Sequence, residues 1–124
     1  MATTQTGKHI PTLAFYRKPC PRKPRGWNVV PLIFTGACTR AVLPDWTRAD
    51  HREAEEFHRR RQVATQRAWY AAVAKAENKF GNQGPLISAG LRDHWPRPVK
   101  DVIRKLAHAV TTHSAAVRLH EKAR

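Results

Sequence analysis

The clearest hydrophobic rhythm in the chain lies near its C-terminal end, where Val99, Ile103, Leu106, Val110, His113 and Val117 recur at offsets of 0, 4, 7, 11, 14 and 18. That is the period of an amphipathic α-helix, and Pro98 is placed to open it as a first-turn residue. The spacing predicts a helix over 98–120. Upstream, Trp69, Val73, Ala76 and Phe80 repeat at 0, 4, 7 and 11 within a run that has no Pro or Gly from residue 46 to residue 79. The run is rich in Ala, Glu, Arg and Gln, and Asp45 and Thr47 are candidate N-caps. A long helix over 46–79 follows, its first half anchored by Trp46 and Phe57. Gly81-Asn82-Gln83-Gly84-Pro85 stops it, because glycine takes left-handed backbone angles cheaply and proline starts whatever comes next. Ile87, Leu91 and Trp95, at spacings of four, predict a short helix over 86–94, ended by Pro96-Arg97-Pro98.

The N-terminal third has a different texture. Residues 1–26 are polar and proline-punctuated, and proline at this density fixes φ and excludes a helix. They read as an extended basic arm. Residues 27–43 run from a β-branched and aromatic stretch through Thr35-Gly36 to Leu43, the pattern of a small β-hairpin whose first strand Pro31 confines to an edge. The fold class is therefore mainly α: a long helix plus a short and a longer C-terminal helix in a domain spanning 27–124, preceded by the arm. At 124 residues this is one folding unit with a modest core.

Charge changes the picture most. The chain holds 23 Lys and Arg against 9 Asp and Glu, a formal net charge of +14. That much repulsion is best relieved by a partner carrying negative charge. Nucleic acid, RNA or DNA, is the first expectation; an acidic protein face is the alternative, either in a larger assembly such as a ribosome or as the target of a small regulator or inhibitor. The only cysteines, Cys20 and Cys38, form no C-x-x-C pair, which indicates neither a disulfide framework nor a metal ribbon. No apolar run reaches membrane-spanning length and no secretory signal is evident, so an intracellular, cytoplasmic protein is expected. Residues 1–44 contain no acidic side chain, also a mark of organelle transit peptides, but the prolines and missing amphipathic helix weigh against that reading.

Two basic groups are candidate nucleic-acid contacts. In the arm, Arg17, Lys18, Arg22, Lys23 and Arg25 sit in a proline-stiffened strip available to phosphates, where each neutralised phosphate releases counterions. Tyr16 and Trp27 bracket them and are candidates for stacking on unpaired bases. A solvated tail, or a P-x-x-P ligand for an aromatic groove, is the competing reading of the same strip. On the last helix, Arg97, Lys100 and Arg104 form a ridge near an N-terminus that already favours anions, weakened by Asp101. Arg59-Arg60-Arg61 is a poorer patch, since Glu55 and Glu56 stand four residues before Arg59 and Arg60 in the favourable orientation for ion pairs.

Seven histidines raise the question of a metal. His51, Glu55 and His58 share a helical face, but the E-x-x-H arrangement occurs once where carboxylate-bridged bundles need it twice. Exposed helical histidines are the plainer expectation there, and hydrogen-bonded core histidines for His113 and His120. No phosphate-cradling glycine loop, H-E-x-x-H or G-x-S-x-G is present; the sequence predicts a binding protein, not an enzyme, with no cofactor. If the ligand is a protein, Trp46, Phe57 and Trp69 are the candidate apolar anchors.

Overall fold

The computed structural model describes residues 2–17, 39–40 and 42–124. The fold is mainly helical, as the periodicity predicts. Helix α1 covers Leu13–Arg17, α2 Arg48–Phe80 and α3 Arg97–Ala123. No helix among the described residues is long and apolar enough to cross a membrane. The chain divides into two compact units: Met1–Arg60 with Thr112–Arg124, and Arg61–Thr111. Both α2 and α3 contribute residues to each unit.

Helix α2 begins where a reciprocal cap stops backbone N–H groups from being orphaned. The Asp50 N–H donates to Thr47 Oγ1 at 3.2 Å, and the Thr47 N–H donates to Asp50 Oδ2 at 3.0 Å. This is the capping-box arrangement, with Asp in place of the usual Glu or Gln. The helix ends at Gly81, whose φ of +88° is readily reached only without a Cβ and whose N–H returns to Glu77 O.

In the first unit, residues 2–10 form a tight loop closed by an antiparallel bridge between Thr3 and His9, with Gly7 at φ +88° supplying its turn. Thr6 Oγ1 donates to Asp50 Oδ1, and the Gln5 N–H donates to Glu53 Oε2 at 2.9 Å. The expected extended arm over 1–26 is thus corrected for residues 2–17: they fold against the start of α2 and then turn into α1. The carboxylates of Asp50 and Glu53 supply acceptors that proline counting overlooks. The remainder of the arm, and residues 27–38 of the expected hairpin, lie outside the described residues. Thr39, Arg40 and Val42, assigned to the hairpin's second strand, lie in a helical turn, with the Leu43 N–H bonded to Thr39 O at 2.7 Å.

In the second unit, Ala76, Leu91, Trp95 and Ile103 form the buried core, with Trp69, Val73, Phe80, Ile87 and Val99 packed on it. The α2 stripe and the first part of the α3 stripe lie where the period puts them. The short helix over 86–94 does not form. Leu86 and Arg92 make an antiparallel bridge around a 3-10 turn at Ser88–Gly90, with Ala89 at φ +64° and Gly90 at φ +76°. Ile87, Leu91 and Trp95 still pack on the core: Ile87 and Leu91 stand opposite each other across the turn, the Ile87 N–H donating to Leu91 O at 2.8 Å. Trp69 Nε1 donates to Ala89 O at 3.1 Å and Trp95 Nε1 to Gly81 O at 2.8 Å, so the half-buried and the buried indole are both satisfied by loop carbonyls.

Candidate functional site: a buried histidine–tyrosine chain

The largest buried polar cluster among the described residues is in the first unit. Helix α2 contributes His51 and His58, and α3 contributes His113 and His120, each pair seven residues apart and therefore on one face of its helix. The two helices meet in opposite directions: His51 faces His120, with Nδ1 atoms 3.0 Å apart, and His58 faces His113, with Nδ1 atoms 2.9 Å apart. Tyr16, at the end of α1, joins the pairs. Its hydroxyl lies 2.6 Å from His120 Nε2 and 3.0 Å from His58 Nε2. The five rings form one continuous hydrogen-bonded chain in the order His113, His58, Tyr16, His120, His51.

Counting protons shows that this chain can be satisfied without charge. Each of its four contacts needs one hydrogen between two heavy atoms. Four neutral imidazoles and one phenol carry five, enough for the four contacts and one more on the outer nitrogen of a terminal ring. All four bonds can then point one way or all the other way. The cluster is thus satisfied with no charge in it, which is what its burial demands. His120, with no exposed surface, is held well below its ordinary value, at about 3, by burial and then by neighbouring His51 and His58. Burial also lowers His51; the Asp50 carboxylate opposes that shift and Arg40 adds to it. The Tyr16 hydroxyl is pushed far above the usual phenol range by burial. Trp46 covers the end of the chain, its ring 5.5 Å from that of His120 and within 18° of parallel.

Charged groups stand around the cluster. Burial would raise Asp50, but the Thr47 N–H and the hydroxyls of Thr6, Thr4 and Thr47 outweigh it and hold the carboxyl at about 2. Glu55, between the two α2 histidines and 7% exposed, takes Arg59 at 2.9 Å on one oxygen and Arg124 at 3.0 Å on the other. Among the described residues no three His, Cys, Asp or Glu side chains converge to hold a metal ion. The expectation of exposed histidines at positions 51 and 58 is corrected: they are 3% and 1% exposed. The signal that finds them is the shared seven-residue spacing in both helices, visible only when the two predicted helices are laid antiparallel. His113 and His120 are the hydrogen-bonded core histidines that the α3 pattern predicts.

The sequence-predicted contact residues are not brought to this cluster, with one exception. Tyr16, a stacking candidate, is fully buried with its ring edge-on to Phe15, His58 and His120, so no base can reach its face. Its position at the end of α1 makes it part of the core. Arg17 is exposed, its Nε 3.4 Å from Thr112 Oγ1. Lys18, Arg22, Lys23, Arg25 and Trp27 lie outside the described residues. On α3, Arg97 projects into solvent, Lys100 Nζ donates to Asp93 O at 3.2 Å, and Arg104 is half exposed. Asp101 lies 4.0 Å from Arg97 and 3.6 Å from Arg104, the weakening foreseen for this ridge. The pairs Glu55–Arg59 and Glu56–Arg60 form as expected. Of the apolar anchors, Trp46 lies on His120, Phe57 is half-buried beside His58, and Trp69 packs on the second unit's core. No protein-family model matches the chain, and no curated protein or solved structure matches it either.

Proposed function

We propose that this helical protein binds polyanions, with nucleic acid as its principal ligand, through phosphate contacts that position without reading sequence. One observation carries the reading: a net charge of +14, with five of the nine opposing carboxylates engaged internally. Asp50 serves the cap and the N-terminal loop, Glu53 accepts from the Gln5 backbone, and Glu55, Glu56 and Asp101 hold arginines. Arg97, Lys100 and Arg104 on α3, and the basic sequence from Arg17 to Arg25, are the candidate phosphate contacts. With Tyr16 in the core, only Trp27 remains as a stacking candidate. The preference for unpaired bases over duplex rests on that residue alone.

The test is an anisotropy titration of the nuclease-treated protein against labelled RNA, single-stranded DNA and duplex DNA at two salt concentrations. Variants with Arg17, Lys18, Arg22, Lys23 and Arg25, or with Arg97, Lys100 and Arg104, changed to Gln run alongside. Affinity that falls steeply with salt, with a shallower salt slope in the variants, supports the proposal. Absence of binding at physiological salt overturns it and directs attention to an acidic protein face.

A further inference from the structure

The hydrogen-bond chain has a limited capacity for protons, and that limit follows from its connectivity. One added proton turns one ring into an imidazolium with two donors; every bond then points outward from that ring, and all four contacts survive. A second added proton leaves a buried donor unsatisfied wherever it is placed. Between two imidazolium rings the donors converge: either two N–H groups face each other at about 3 Å, or, with one charged ring on each side of Tyr16, its oxygen accepts from both and its own hydrogen loses its acceptor. Two buried positive charges would also repel at a distance where water does not screen them. The unfolded chain has no such limit, because each free imidazole takes up its proton near pH 6.5.

We propose that the cluster is an acid-triggered release: below pH about 6 the unfolded chain takes up four protons where the folded cluster holds at most one, the chain of bonds breaks, and α1 with Tyr16 is let go from α2 and α3 in the first unit. The sign follows from linkage. A base held neutral in the folded state favours unfolding as pH falls, so the stability it contributes is complete above pH 6.5 and is lost downward from there. A difference of three protons or more lowers the folded-to-unfolded ratio about a thousandfold for each pH unit once the free histidines are charged. The groups facing the cluster do not cancel this. Asp50 stays ionised throughout the window and favours charge on His51, Arg40 opposes it, Glu55 is held by Arg59 and Arg124, and Arg17 engages Thr112.

The full chain is titrated from pH 7.5 to 4.5, with histidine ring nitrogens followed by NMR and folding by urea denaturation at each pH. Expected are neutral rings at pH 7, a single cooperative loss of Tyr16 and cluster signals below about pH 6, and a stability slope of three or more protons. The double variant H51Q/H120Q, which replaces one pair by amides that do not titrate, should lose about two protons from that slope, leaving roughly a tenfold change per pH unit. Should that variant fail to fold, the wild-type slope and ring spectra decide. Rings that titrate one by one while Tyr16 stays docked, a slope of one proton or less, or nitrogen shifts of metal-bound imidazole would each overturn the proposal.

Discussion

Replacing Tyr16 by Phe removes one oxygen and leaves the ring, so the aromatic contacts with Phe15, His58 and His120 remain while the link between the two histidine pairs disappears. Two hydrogen bonds are lost, and in a buried site each abandoned partner costs about 1–3 kcal/mol. The upper end is not reached, because the imidazoles have an escape. If His58 and His120 both carry their hydrogen on Nδ1, each still donates to its partner, and only two acceptor lone pairs are left bare. A net loss of roughly 2–4 kcal/mol follows, a large part of the ~5–15 kcal/mol that holds a domain of this kind. Thermal denaturation should show a fall of about 8–15 °C, and urea denaturation the corresponding shift in midpoint. Y70F is the control: Tyr70 is 57% exposed, bonded only to the neighbouring Gln66 side chain, and its variant should stay within about 0.5 kcal/mol of wild type. If Y16F is also within about 0.5 kcal/mol, the hydroxyl does not join the pairs and the proton count fails with it.

Other substitutions test the surrounding framework by the same denaturation assays. T47A should cost about 1 kcal/mol by uncapping α2, and D50A should cost more, because it also releases Thr6. E55Q should destabilise by about 1–2 kcal/mol, less than a sealed ion pair, since Arg59 is largely in solvent. A89G should stabilise by up to about 1 kcal/mol by relieving a left-handed alanine while keeping the carbonyl that Trp69 uses. L91A should open a cavity in the second unit's core at about 2–5 kcal/mol.

The two long helices were legible because their apolar positions repeat at one period over many turns and their ends carry recognisable chemistry. The 86–94 segment misled because two residues paired across a tight turn can have the same spacing of four as one helix face, and the deciding term, a left-handed pair at Ala89 and Gly90, has no periodic signature. The folding of residues 2–17 was hidden for a different reason: it depends on Asp50 and Glu53, more than forty positions away, accepting from Thr6 and Gln5. The histidine cluster was half visible. Each helix displays its seven-residue pair, yet a single helix cannot tell that an imidazole will find another opposite, and Tyr16 belongs to a segment that composition alone assigns to solvent.

The heptad spacing of the four histidines also acts as an alignment key. If α3 slid along α2 by one helical turn, His51 would come opposite Ala116 or Arg124, and His58 opposite Ala109 or Val117. Both imidazole–imidazole pairs would then be lost, with His58 buried against an apolar side chain in either register. A slip of two turns would match His51 with His113 but set His58 against Leu106. An alanine-rich helix face offers little shape to distinguish these alternatives, so it is the imidazoles that reject them, as a lone polar residue does in a coiled-coil seam.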